Sequence, residues 1–503
     1  RSTRVRSSAG AYVYKSEGKC KPDNVFYDST AYGSTAPAEA GVTALSTDQM
    51  QSWAAAWALN GKKAGTPWTY DASKNDGYPS FGTLAAPADW SVVGAGVDAG
   101  LIAGKPAQTG DSAADAYDLG SPEALAWFAY KVNADNANYK SKHAKLAAPI
   151  DLSGKPYTGE ASVASDFSNC LKWKPIASFS GEFDGGGHAV ENLFVNEGTG
   201  RVGFFGTLQG TDSAAVSVHD FGVASGSVKG LHTVGGIVGK MERVKGKAAV
   251  SVERCWNAAS VTGTGSDSKD TMAGGIAGYV FGTVSNCYNT GSISAAKTCA
   301  GGIVGSTTGD SAYGTRVESC YNTGSVTAPV TYGAINGWHS NAQSPTTNCY
   351  YLDNGLPAFG NNATAGQATK LADDQLKSWG AAYALNGGDG TQKLADLATW
   401  RKAKDASENA GYPVLCTAGE SMDAAADWGE VGAWVDAIAV SLQPSTASDG
   451  AYEISSPEQL AWFAYKVNTS ATAREYGSKS VRITGDVDLD GSAYTGKEKT
   501  AEN

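Results

Sequence analysis

The chain has 503 residues, a formal charge of −11, 18% charged residues and 63 Gly against 16 Pro. That length exceeds one ordinary core and points to several modules or a solenoid, while abundant Gly with little charge suits short strands and tight turns. Nucleic acid is excluded as a partner because no basic stripe occurs, no run of about 18 apolar residues is present to span a membrane, and Arg1–Gly10 lacks a signal peptide's apolar core, so any export signal is expected outside this chain.

In chain order, Gly10–Asp28 aligns loosely with Gly333–Leu352. Leu45–Gly61 reads as a helix with Ser46 and Gln49 set for a capping box, and it recurs at Leu371–Gly387, where Ala372 loses the cap and Gln375 remains. Trp53 and Trp379 fall in step. The turn Asn75-Asp76-Gly77-Tyr78-Pro79 returns as Asn409-Ala410-Gly411-Tyr412-Pro413. Ser121–Asn133 reappears at Ser456–Asn468 with a single change, Ala124 to Gln459. Both copies read as helices with Ser as N-cap and Pro at the first helical position. Leu125, Phe128, Ala129 and Val132 make the apolar stripe of the first copy.

Between residues 200 and 350 a shorter repeat takes over. Val202-Gly203-Phe204-Phe205-Gly206 is followed by Val234-Gly235-Gly236-Ile237-Val238-Gly239, Ala273-Gly274-Gly275-Ile276-Ala277-Gly278, Ala300-Gly301-Gly302-Ile303-Val304-Gly305 and Tyr332-Gly333-Ala334-Ile335-Asn336-Gly337. A second element, Val252-Glu253-Arg254-Cys255-Trp256-Asn257, recurs as Val284–Asn289 and Val317–Asn322. A third places Val228, Val261, Ile293 and Val326 at intervals of 33, 32 and 33 residues. Three β-prone elements in about 32 residues describe one coil of a parallel β-helix, whose strands stack on the next coil and share its core. Longer intervals fall at loops such as Lys240–Lys247 and Thr264–Asp270, which belong on the outside.

The expected fold is therefore all-β, a parallel β-helix with short helical caps and helix-containing linkers. Residues 1–42 hold the last coil of a preceding module, 43–118 a linker with helix and short strands, and 119–360 a complete β-helix. Residues 361–440 repeat the linker, and 441–503 start the next module. On this reading the chain is a piece of a tandem array.

As a set, these residues resemble the GLUG-motif proteins, large bacterial surface proteins also found beside IgA-specific metallopeptidases. The resemblance rests on Ser121–Asn133, Ile150-Asp151-Leu152-Ser153, Trp173-Lys174-Pro175-Ile176 and Phe179–His188. The Gly-Gly-Ile-Val-Gly and Cys-Tyr-Asn-Thr-Gly-Ser-Val elements complete it. It departs at Phe204-Phe205 and at the eroded coil around Asn336-Gly337-Trp338. What it implies is a right-handed parallel β-helix, an extracellular location on the bacterial cell surface, and a stalk or adhesin role.

Chemistry-bearing motifs are sparse. The five histidines, at 143, 188, 219, 232 and 339, include no His-Glu-x-x-His pair, and no Gly-x-Ser-x-Gly elbow occurs. Asp184 and His188 bracket three glycines and read as a turn rather than an acid/base pair. A polysaccharide lyase, the enzymatic alternative, would need carboxylates converging on one outer face, whereas the coil motifs offer Asn, Tyr, Ser and Thr. Asp486, Asp488 and Asp490 start like a calcium loop, but Lys497 stands where the closing Glu would be. Cys255, Cys287, Cys320 and Cys349 share one coil position and read as a reduced, inward-facing ladder. Trp256 and the tyrosines that follow the other three should then face outward. That row could bind glycan by stacking or simply cover a neighbouring loop. No catalytic, cofactor or metal residue is assigned. The expected partners are neighbouring modules or other copies, with host glycans or surface proteins as the alternative. The first coil after Ser456 and the last before Asp28 would expose strand edges able to pair head to tail.

Overall fold

A computed structural model describes residues 25–32, 42–63, 65, 67–158, 167–265, 271–340, 344–361, 368–389, 392, 394–469, 473–489, 491 and 494. Between residues 182 and 352 the described strands form a parallel β-helix walled by three five-stranded and two eight-stranded sheets, the latter two extended by Tyr117–Leu119, His143–Leu146, Ile150–Asp151 and Ala368–Leu371. One coil carries Trp256–Asn257, Ser260–Gly263, Met272–Gly274, Ala277–Val280 and Thr283–Ser285. Each of these strands pairs in parallel with its counterpart one coil on, from Tyr288–Asn289 to Arg316–Glu318.

Each coil thus has five strands rather than the expected three, because two of the sequence elements bend. Asp220, Arg254, Asn286, Ser319 and Asn348 hold φ between 52° and 53° and turn the chain sharply between the valine strand and the Tyr-Asn strand. Asp and Asn tolerate that left-handed corner through local side-chain hydrogen bonds; Arg and Ser adopt it less readily. The glycine element breaks likewise between Gly235 and Val238.

Inside, the registers build apolar columns. Phe183, Val218, Val252, Val284 and Val317 stack in one wall and are fully buried. Val195, Val228, Val261, Ile293 and Val326 do the same in another. Burying each such side chain is worth roughly 1.5–3 kcal/mol against leaving it in water, which a single coil could not achieve.

A polar ladder runs among these columns. Asn257 Nδ2 donates to Asn289 Oδ1 at 2.8 Å, and Asn289 Nδ2 donates to Asn322 Oδ1 at 2.8 Å. Each amide nitrogen also donates to the carbonyl two residues ahead, so the buried amides are satisfied along the stack. This ladder explains the paired glycines. A Cβ on Gly236, Gly275 or Gly302 would stand 2.5, 2.4 or 2.3 Å from Cγ of Asn257, Asn289 or Asn322. Where the asparagine is missing, so is the second glycine. Phe204 accompanies Val223, and Ala334 accompanies Tyr351, each of which takes the asparagine register position in its own coil. The two departures from the repeat are therefore the two ends of one interior feature.

The N-terminal end of the stack is closed by a cap unit. Its Pro122–Ala134 helix starts with Ser121 Oγ accepting from Ala124 N, and Leu125, Phe128, Ala129 and Val132 are all buried. Phe128 reaches Phe179 in the first coil, ring centroids 6.0 Å apart. The Trp90–Asp98 helix lies so close that a Cβ on Gly94 would be 2.3 Å from Ala126 O. Trp127 Nε1 and Lys131 Nζ both donate to Asp98. Tyr157 plugs the centre between Trp53, Trp57 and Trp90, its hydroxyl donating to Glu123.

The second unit repeats the contacts within the cap. A Cβ on Gly432 would be 2.3 Å from Ala461 O, Trp462 and Lys466 donate to Asp436, and Tyr494 donates to Glu458 beside Trp379 and Tyr383. Even the half-lost capping box is visible. Ser46 accepts from Gln49 N while its own N–H donates to Gln49 Oε1; at Ala372 only the latter contact survives.

Candidate functional site

Trp256, Tyr288, Tyr321 and Tyr350 do point out of the β-helix, one above another. Trp256 and Tyr288 stack with planes 4° from parallel, and Tyr288 and Tyr321 lie 5.1 Å apart with planes 1° from parallel. Yet Tyr321 is 0% exposed and Tyr288 only 6%. The row is covered by the chain itself, although by a part distant in sequence rather than by the neighbouring loop expected.

The cover is the second cap unit. Trp400 leans over Tyr288 and Tyr321 at 6.1 and 5.6 Å. Tyr321 Oη donates to Pro413 O and accepts from Asn409 Nδ2, both at 2.6 Å. The left-handed corners supply the remaining anchors, since the bend turns their side chains outward beside the ladder. Asn286 Oδ1 accepts from Trp400 Nε1, Arg254 Nη2 donates to Cys416 O, and Asn348 Nδ2 donates to Ala384 O and Leu385 O. Burial pushes the Tyr288 and Tyr350 phenols well up, so both stay protonated hydrogen-bonding groups.

The cysteines behind this row are buried and free, each Sγ lying toward backbone carbonyls such as Glu253 O and Ser285 O. Burial pushes the Cys287 and Cys349 thiols up, which keeps them protonated and unreactive. Cys20 lies outside the described residues.

A second cluster corrects the reading that carboxylates do not converge. On the outer face of one wall, the register sets His143 across from Glu182, Lys145 across from Asp184, and His219 across from Asp184. Glu182 bridges His143 Nδ1 at 2.8 Å and His219 Nε2 at 3.1 Å. His219 Nδ1 also meets Asp220 Oδ2 at 3.0 Å and Asp184 Oδ1 at 3.6 Å, and Arg254 Nε donates to Asp220 at 2.6 Å. The hydrogen bond to Asp220, then those of Glu182 and the charge of Asp184, raise His219 to about 9 against the cost of burial. For Glu182 and Asp220 burial opposes ionisation, but the bonds from histidine and arginine outweigh it and hold both carboxyls low. His143, Glu182, Asp184 and His219 come from three successive strands, and Asp220 and Arg254 from the corners of two coils; Glu182, Asp184 and Arg254 stand in recognisable repeat elements, but only the pairing register brings the group together.

Asp184, His219 and Asp220 are close enough to hold a cation, their ligand atoms lying within 4.8 Å of one another. A metal would have to displace the His219 proton and compete with Arg254 and Lys145, which already balance the carboxylates. The arrangement acts as an ion-pair ladder tying coils together. Asp184 also accepts from Gly186 N, and His188 N donates to Gly185 O, so that segment is the expected turn. Asp486 and Asp488 are exposed in an irregular stretch after Val481–Ile483, and Asp490 and Lys497 lie outside the described residues.

The repeat that builds both ladders has a counterpart among known sequences: residues 270–294, from the Gly-Gly-Ile element through the Tyr288 strand, match the GLUG motif. The chain carries a GLUG motif. Its GLUG coil contributes Gly275, Cys287, Tyr288 and Asn289, the residues on which the inner and outer ladders turn. A search of curated proteins finds no match. Among solved structures, a Bacteroides ovatus protein provisionally named an immunoglobulin A1 protease is 18% identical, with a TM-score of 0.40 over 66% of this chain and 97% of that one. A second, named IgA1 protease, is 17% identical, with a TM-score of 0.29 over 48% of this chain and 21% of that one. Likeness at that level bears on neither activity nor substrate. Among the described residues no helix is long and apolar enough to cross a membrane.

Proposed function

We propose that the chain is a non-enzymatic structural segment of a large, secreted bacterial surface protein, a GLUG stalk that extends and displays what is attached to it and serves adhesion. Its partners are neighbouring modules of the same kind or other copies joined end to end. The observation carrying this reading is the stack of coils whose outer aromatic row is already committed to the chain's own second cap unit. Such a body is suited to rigidity and length rather than to enclosing a substrate. Light scattering coupled to size exclusion over a concentration series, with negative-stain images of the same fractions, tests it. Elongated particles are expected, and a regular axial repeat at high concentration would add end-to-end assembly. Compact particles would sink the stalk.

The Glu182, Asp184, Asp220 and Arg254 cluster favours a second reading, a polysaccharide lyase. Its measure is unsaturated product absorbance on pectate-like substrates with calcium. A signal abolished by Asp220→Asn would support the lyase, and no signal would remove it.

A further inference from the structure

The second cap unit shows the use of a face that the first cap unit also has. Trp68–Thr69 pairs antiparallel with Ser80–Phe81 as Trp400–Arg401 pairs with Val414–Leu415. Asn60 fixes Trp68 through both backbone polar groups, and Asn386 fixes Trp400 in the same way. The turns agree too. Asn75 and Asp76 have φ of 51° and 53°, Asn409 and Ala410 of 47° and 52°. Asn75 Nδ2 reaches Pro79 O, and Asn409 Nδ2 reaches Pro413 O, both at 3.1 Å. Val25–Asp28 pairs with Val42–Leu45 in the register that joins Cys349–Leu352 to Ala368–Leu371, which puts Phe26 in the place of Tyr350.

The two faces differ in what lies against them. Trp400 is completely buried on the tyrosine ladder, whereas Trp68 is half-buried. Phe81, at the position of the half-buried Leu415, is 74% exposed and stacks only on Trp68, 4.7 Å away, among the ring contacts of the described residues. Tyr350 is 5% exposed, and Phe26 is half-buried. Among the described residues Val25–Asp28 pairs along one edge only, while Cys349–Leu352 pairs along both, with Tyr321–Asn322 on one side and Ala368–Leu371 on the other.

We propose that Trp68, Phe81 and Phe26 form a docking surface for the outer aromatic ladder of a preceding GLUG β-helix in the same polypeptide. The preceding coil adds a Tyr-Asn strand in parallel to Val25–Asp28, as Tyr321–Asn322 adds to Tyr350–Tyr351. Its tyrosines sit beneath Trp68 as Tyr288 and Tyr321 sit beneath Trp400. A second copy of this chain is the poorer occupant, because Trp400 already covers its ladder. The inference rests on the tandem reading above and sharpens it. A cap unit would close the next β-helix while gripping the flank of the one before.

A tandem chain joining residues 1–352 directly to residues 29–503 restores the arrangement, with Phe81→Cys placed only in its second-position cap unit. Maleimide labelling of that cysteine is expected to be at least about tenfold slower than labelling of Phe81→Cys in the present chain, as befits a site that must open locally to react. Equal rates would overturn the docking surface, and elongated tandem particles alongside equal rates would leave the stalk intact. Independently of the tandem, Phe81→Asp should leave the melting temperature of the present chain unchanged. A clear drop would mean that the face is already covered, and would overturn the proposal without any tandem.

Discussion

Tyr288 and Asn289 are adjacent residues of one strand, yet they belong to two ladders that work differently. Asn289 faces inward and is locked on every side, by Asn257 and Asn322 along the stack and by Gly275 across it. Tyr288 faces outward and depends on a separate part of the chain, the second cap unit, for its burial. The inner ladder belongs to coil formation itself. The outer ladder is an interface, and an interface can exchange occupants.

The largest expected effect lies on the inner side. Gly275→Ala puts a Cβ 2.4 Å from Asn289 Cγ and 2.2 Å from Gly302 O, and should cost about 4 kcal/mol in urea unfolding. Combining it with Asn289→Ala should cost less than the sum, because the side-chain half of the clash is gone. Strict additivity would break the link between glycine and asparagine. On the outer side, Trp400→Ala should cost about 3 kcal/mol through the cavity it leaves. That loss should register as faster hydrogen exchange across residues 394–416, with the valine strands untouched. Uniform loosening of both would mean that the cover is part of the coil fold and not an interface.

The smallest effect sets the ion-pair cluster apart from the inner ladder by pH. His219 carries a folded pKa raised to about 9 from 6.5, so its stabilisation is complete below about 6.5 and lost as pH climbs through 9. Partial exposure limits that contribution to about 1–2 kcal/mol. His219→Gln should therefore flatten the alkaline fall in melting temperature between pH 7 and 9.5, while Gly275→Ala should shift the curve without changing its shape.

Much of this was legible in the residues. The spacing of Val228, Val261, Ile293 and Val326 gave the coil length, and Ser121-Pro122 gave a helix start that the structure keeps. The five-strand coil was hidden because Arg254 and Ser319 disguise a corner that Asn286 and Asn348 alone would signal. The cover over Tyr321 was hidden for a different reason: alternation gives the direction of a side chain, not what another hundred residues will later lay on it. The His219 cluster needed a register that hydrophobic pattern alone leaves free.

Coupling between Gly275 and Asn289 also constrains how such a protein can change over generations. A lone substitution at Gly275 meets an unaltered Asn289, and among the described coils the pair is missing only at the two ends of the stack. Duplicating or deleting an entire coil disturbs no such pair. Length can then evolve in whole steps of one coil, about 4.8 Å each, so that reach is inherited as a count.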